Sequence, residues 1–239
     1  MTHDWKALAG ELHELLSLDV APIAITFLAE VPTGILAYEG AMPAPTPDGR
    51  TGKVSAGCVF WGKATERTFV TLPADHGNCS VGSMTHGLKT LQEVAGNADV
   101  AALLASGWVT MEVVPQIPVV QQKPQCITYG PLQDTRYDPD VVLLRLNPKQ
   151  VMVMHDAMPG MRMEGKPQCH IIAIAKEQQE VAASVGCMLS RVRTGLPNSQ
   201  LTCAIPAQRL PEVIERLKMT CAADMTVAAY AAEDARRFA

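Results

Sequence analysis

The chain has 239 residues, 48% of them hydrophobic, enough to bury one generous core or two halves packed as one unit. A formal net charge of -4 and a pI near 5.9 provide no global basic field, so nucleic acid and anionic membrane surfaces are unfavoured partners. No apolar run approaches a membrane span. Met1 is followed by Thr2-His3-Asp4-Trp5-Lys6 with no basic and apolar signal segment, so a cytoplasmic protein is expected. There the seven cysteines stay reduced.

Leu8, Leu12, Leu15 and Leu16 recur at helical spacing behind Asp4, which predicts an N-capped amphipathic helix. Ile23 to Leu28 is a short β-rich run between Pro22 and Pro32 and reads as a buried strand. Gly40 to Lys53 is rich in proline and glycine and is expected to be a loop. Cys58 to Ala64 suits a short helix, Thr68 to Leu72 a strand, and Pro73 to Asn78 a turn. A helix is predicted from Ser80 to Ala95, stopped by Gly96-Asn97. That places Cys79 at a helix N-terminus, where free N–H groups and the dipole favour a thiolate.

Asp99 to Ala105 suits a helix, and Val109 to Val120 an edge strand broken by Pro115 and Pro118. Strands are expected at Cys126–Gly130, at Val141–Leu146, which is apolar enough to be central, and at His170–Ala175. Asn147-Pro148 opens a helix through His155. Leu210, Val213, Ile214 and Leu217 mark another, and the alanine-rich tail is helical. Strands and helices intermixed in this way indicate an α+β fold in one domain over residues 1–239, with halves near 1–130 and 131–239.

One spacing recurs. Gly57-Cys58 leads to Leu72-Pro73 and then Cys79, while Gly186-Cys187 leads to Leu196-Pro197 and then Cys203; in both, Leu-Pro stands seven and six residues ahead of the second cysteine. Four thiolates on two helix-entry turns, brought together by packing one half against the other, would suit a tetrahedral sulfur site or an iron–sulfur cluster. The absence of Cys-x-x-Cys weighs against a structural zinc site, which usually draws on tight pairs. Redox thiols and plain core cysteines are the competing readings. His76, three residues from Cys79, its neighbour Asp75, and His86 are candidates for moving protons beside such a centre. Cys126, Cys169 and Cys221 fall outside the pattern and read as packing residues. If His170 starts a strand, Cys169 and His170 point to opposite faces and do not chelate one ion. Methionines 152 to 163 read as core rather than copper(I) ligands. Arg191, Arg193 and Arg209 could grip an anion, with a solvated surface the plainer reading.

Several of these residues carry a family resemblance. Pro22 before the apolar strand, Gly57-Cys58 with Trp61, Asn78-Cys79-Ser80-Val81-Gly82 with Gly87, Asp140-Val141-Val142 ahead of Asn147-Pro148-Lys149-Gln150, and Gly186-Cys187 with Cys203 resemble the domain-of-unknown-function 169 family. The resemblance covers most of the chain and implies no activity, so function must be argued from the site. The expectation is an iron–sulfur protein, 4Fe-4S in type, ligated by Cys58, Cys79, Cys187 and Cys203. It would act as a lyase or oxidoreductase on a small molecule. Zinc or copper(I) binding without catalysis, or a ligand-binding scaffold with core cysteines, are the alternatives. A homo-oligomer is compatible with the sequence.

Overall fold

The computed structural model describes residues 2–39, 58–77, 79–194 and 196–238, the side chains of 193 and 194 excepted; the loop expected at 40–53 lies outside them. The elements in order are α1 (Trp5–Leu16), β1 (Ile23–Leu28), α2 (Cys58–Lys63), β2 (Phe69–Thr71), α3 (Ser80–Thr85), α4 (Leu91–Val94), α5 (Ala98–Ala105), β3 (Cys126–Pro131) and β4 (Val141–Leu146). They continue with α6 (Pro148–Ala157), β5 (Arg162–Glu164), α7 (His170–Ala173), β6 (Ala182–Ser184), α8 (Met188–Thr194), β7 (Leu201–Pro206) and α9 (Leu210–Arg237). Seven strands form one sheet in the order β2-β3-β1-β4-β7-β6-β5, antiparallel except for the β5–β6 edge. The fold is α+β, and β4 holds the central place that its apolar sequence predicts.

The sheet order is self-similar about its centre. β3 pairs with β1 as β7 pairs with β4, and β2 lies beyond β3 as β6 lies beyond β7. The register agrees: Ile23 faces Pro131 in β3 while Val141 faces Pro206 in β7, and across the middle Ile23 faces Leu143 while Ile25 faces Val141. Even the edges correspond, since Ala37 bridges to Val70 in parallel as β5 runs parallel to β6.

Because strand side chains alternate, the central strands feed two cores. Ala24, Val142, Leu144, Cys203 and Ile205 pack under α1, α6 and α9. Ile23, Ile25, Tyr129, Val141, Leu143 and Ala204 pack on the other face under α2 and α7. Local chemistry sets the helix ends. Asp4 accepts the Ala7 N–H at 3.0 Å to start α1. Asn147 and Gln150 form a reciprocal capping box at α6. Among the described residues, no helix is long and apolar enough to cross a membrane.

Four expectations are corrected. His170–Ala175 is α7, running into a π-helical turn over Ile174–Gln178; an apolar run buried all round has no period to separate helix from strand. The single helix expected over 80–95 is two, because Gly87 takes φ +70 and Thr90 caps a new helix with Glu93. A Cβ at Gly87 would stand 2.4 Å from the Val120 carbonyl oxygen, so the chain turns there against a backbone that leaves no room. Residues 109–120 form a 3-10 turn at Val114–Gln116 and no strand. Finally, Cys203 lies in mid-strand on β7, paired in register with Leu144, instead of at the start of a helix.

Candidate functional site

The thiols gather on the face opposite α1, α6 and α9. Cys58 is the first residue of α2, Cys79 is the N-cap of α3, Cys169 is the N-cap of α7, and Cys187 immediately precedes α8. α2 packs against α8, and α3 against α7. All four cysteines line one narrow cavity, whose empty space, mouth included, is about 370 Å3. Val81, Trp108, Pro167 and Leu189 form its apolar wall. In the self-similar sheet order, Cys58 before β2 corresponds to Cys169 before β6, and Cys79 after β2 to Cys187 after β6. The spacing in the sequence matched different partners.

Three of the four expected ligands are therefore together, and Cys203 is not among them. It is fully buried on the other sheet face, 3.9 Å from the Met161 sulfur, and burial raises its thiol pKa to about 12. Cys169 stands in its stead. It falls outside the recurring spacing, and the strand reading gives no reason to restore it, since only a helix starting at 170 makes the preceding residue an N-cap. None of the seven cysteines is in a disulfide.

The sulfurs have local donors. The Gly82 N–H donates to Cys79 Sγ at 3.4 Å, and the Thr85 hydroxyl donates to Cys169 Sγ at 3.3 Å. Burial, and then the neighbouring Cys79, push the Cys169 thiol well above its usual range; Cys58 and Cys187 add to this, and the Thr85 bond opposes it. The neighbouring thiols thus disfavour charge on the buried Cys169, and a bound cation would relieve that penalty. Among the described residues, however, no group of three or more His, Cys, Asp or Glu side chains is arranged to hold a metal ion.

His76 and His86 do not line the cavity but lie fully buried in the layer behind it, their ring centroids 6.0 Å apart. Their tautomers follow from their partners. The His86 Nδ1 lies 2.9 Å from the Gly82 carbonyl, which can only accept, so Nδ1 carries the proton. Thr71 spends its hydroxyl proton on the Ile127 carbonyl at 3.0 Å, so His76 Nε2 donates to the Thr71 oxygen at 2.9 Å. The remaining nitrogens, His76 Nδ1 and His86 Nε2, are buried acceptors without a hydrogen-bond partner among the described residues. Burial lowers both pKa values: His76 falls well below the usual range, with His86 contributing, and His86 to about 4. Both rings are neutral at pH 7. His86 reaches the thiols through Thr85, whose Oγ1 lies 3.2 Å from His86 Nδ1.

Asp75 turns its carboxylate back onto the Leu72 N–H at 2.8 Å, holding the 3-10 turn at Pro73–His76. Tyr129 was not anticipated. Its hydroxyl is buried without a hydrogen-bond partner among the described residues, and burial, then Cys169 and Cys58, push its pKa well above the usual value. Two of the arginines considered as anion holders do other work: Arg191 donates to the carbonyls of Val185, Gln200 and Pro197, and Arg209 pairs with Glu212; the Arg193 side chain lies outside the described residues.

Neither the comparison with curated proteins nor that with solved structures returns a match. One family does match, over residues 11–216, and it is described as "Uncharacterised ArCR". The chain belongs to that family, the domain-of-unknown-function 169 family.

Proposed function

We propose that this protein holds an iron–sulfur cluster on Cys58, Cys79, Cys169 and Cys187 and uses it in small-molecule chemistry of the lyase or oxidoreductase kind. The observation that carries the reading is the convergence of four thiols, from four separate helix starts, on one apolar-walled cavity. The donor set suits iron–sulfur chemistry, because all four are soft sulfur ligands, three of them buried and Cys58 half-buried. The thiols are not grouped around a single ion. Cys58, Cys79, Cys169 and Cys187 would hold a cluster with a wider ligand spacing than one zinc or copper(I) ion would take.

When bound, such a cluster would supply one-electron transfer with all four thiols as ligands, or a Lewis-acidic iron if only three of them held it. The chain's own part is definable. The Gly82 N–H and the Thr85 hydroxyl stabilise charge on the Cys79 and Cys169 sulfurs. Thr85 has one proton and also lies 3.1 Å from the Gly82 carbonyl, so a charged Cys169 sulfur is the acceptor that would draw it. Trp108, Pro167 and Leu189 exclude water. Neutral His86, whose protonated Nδ1 lies 3.2 Å from Thr85 Oγ1, can donate to that hydroxyl and so orient its proton toward the Cys169 sulfur.

The test is anaerobic purification with iron, acid-labile sulfide and visible absorption measured together. Iron and sulfide in near-equal amounts with broad brown absorption are expected. Zinc or copper with no sulfide would favour the second reading, soft-metal binding on the same thiols. Metal-free protein from every anaerobic preparation and every reconstitution would overturn both.

A further inference from the structure

A second cavity lies at the other end of α3 and serves no part of the thiol site. Its empty space, mouth included, is about 860 Å3, and pockets that take small molecules are built like it: a largely apolar wall with a few polar groups. Met84, Leu88, Ile117 and Val120, all buried, form the wall. Lys89 and Lys123 stand at the rim with Glu93. The wall is set rigidly, because Gly87 abuts Val120 and the Val120 N–H donates to the Thr85 carbonyl at 3.0 Å.

The rim charge decides the ligand class. Glu93 is already committed to its own helix, accepting from the Thr90 N–H at 2.6 Å and the Thr90 hydroxyl at 3.0 Å. Neither lysine makes an ion pair among the described residues. Glu177 beside the rim is likewise engaged, accepting the Gln121 N–H at 3.3 Å, which leaves the two ammonium groups as the charges free to meet a ligand above an apolar floor. We infer that this cavity binds an amphipathic small molecule: an aliphatic body in the apolar wall and a carboxylate between Lys89 and Lys123. Val81 and Gly82 of α3 line the thiol cavity, while Met84 and the exit at Gly87 line this one, so the occupant lies one short helix from the thiols.

Isothermal titration of the full-length, metal-free protein with sodium decanoate tests this without reference to the cluster. Saturable one-to-one binding is expected. The Lys89→Met, Lys123→Met double variant should weaken it at least tenfold. Ile117→Trp, which fills the cavity, should abolish it, with near-ultraviolet circular dichroism checking each fold. If the tryptophan variant does not fold, the surface lysine pair still decides. Absence of saturable decanoate binding, unchanged affinity in the lysine variant, or tighter binding of uncharged decanol than of decanoate would each overturn the assignment.

Discussion

Lowering the pH from 7 to 5 should destabilise this protein through its buried histidines before most carboxylates respond. In the unfolded chain His86 has the ordinary value of 6.5, whereas burial in the fold lowers it to about 4. A depressed histidine contributes stability that is present above the unfolded value and lost as pH falls below it, because only the unfolded state takes up the proton. At pH 5 the unfolded ring is nearly all charged while the folded ring is still mostly neutral. The pH then lies about 1.5 units below the unfolded value, which at about 1.4 kcal/mol per unit makes the loss about 2 kcal/mol from His86 alone. His76 adds to it in the same direction. Urea unfolding of the metal-free protein at pH 7 and pH 5 measures the difference, and His86→Gln should reduce it by about 2 kcal/mol. Ring resonances give a second readout: His86 should stay neutral at pH 5. A wild-type stability equal at the two pH values, or a His86 ring titrating near 6.5, would refute the reasoning.

Two further predictions concern the frame around the site. Gly87→Ala forces a Cβ to 2.4 Å from the Val120 oxygen at φ +70, and should cost about 2–5 kcal/mol from left-handed strain plus overpacking. Gly96→Ala, which meets nothing within 4 Å, should leave the urea midpoint almost unchanged, and equal midpoints for the two would contradict this. Gln150 ties α6 to the end of α1 by donating to the Leu16 and Ser17 carbonyls at 3.0 and 2.9 Å. Gln150→Ala should therefore cost about 2–3 kcal/mol, since it removes a capping partner and strands buried carbonyls; a loss under about 0.5 kcal/mol would show those bonds to be replaced by water.

What could be read from the residues followed physical distinctness. α1, α6 and the first half of α9 show one apolar face or an explicit cap, and β4 is a strand apolar on both sides; each was legible. The run His170 to Ala175 has no polar face, because it lies under the sheet with every residue through Ala175 buried, and so its period could not be seen. Cys169 falls outside the recurring spacing, and the strand reading offers nothing to bring it back. Cys203 entered the candidate list on a recurring Leu-Pro spacing, yet spacing along the chain carries no information about which face of a strand a side chain takes. Cys203 packs into the core under α6 and α9 by the alternation of β7, with Thr202 and Ala204 turned the other way. The stop at Gly87 was likewise set by a distant contact with Val120, which no local signal reveals.

The ligand set is where the account is most exposed. Cys169→Ser and Cys203→Ser, each purified anaerobically with iron and acid-labile sulfide measured per chain, separate the thiol in the cavity from the thiol in the strand. The account predicts that Cys169→Ser loses most of its iron and sulfide, while Cys203→Ser, even if less stable, retains the wild-type content per folded chain. Full cluster content in Cys169→Ser together with its loss in folded Cys203→Ser would contradict it.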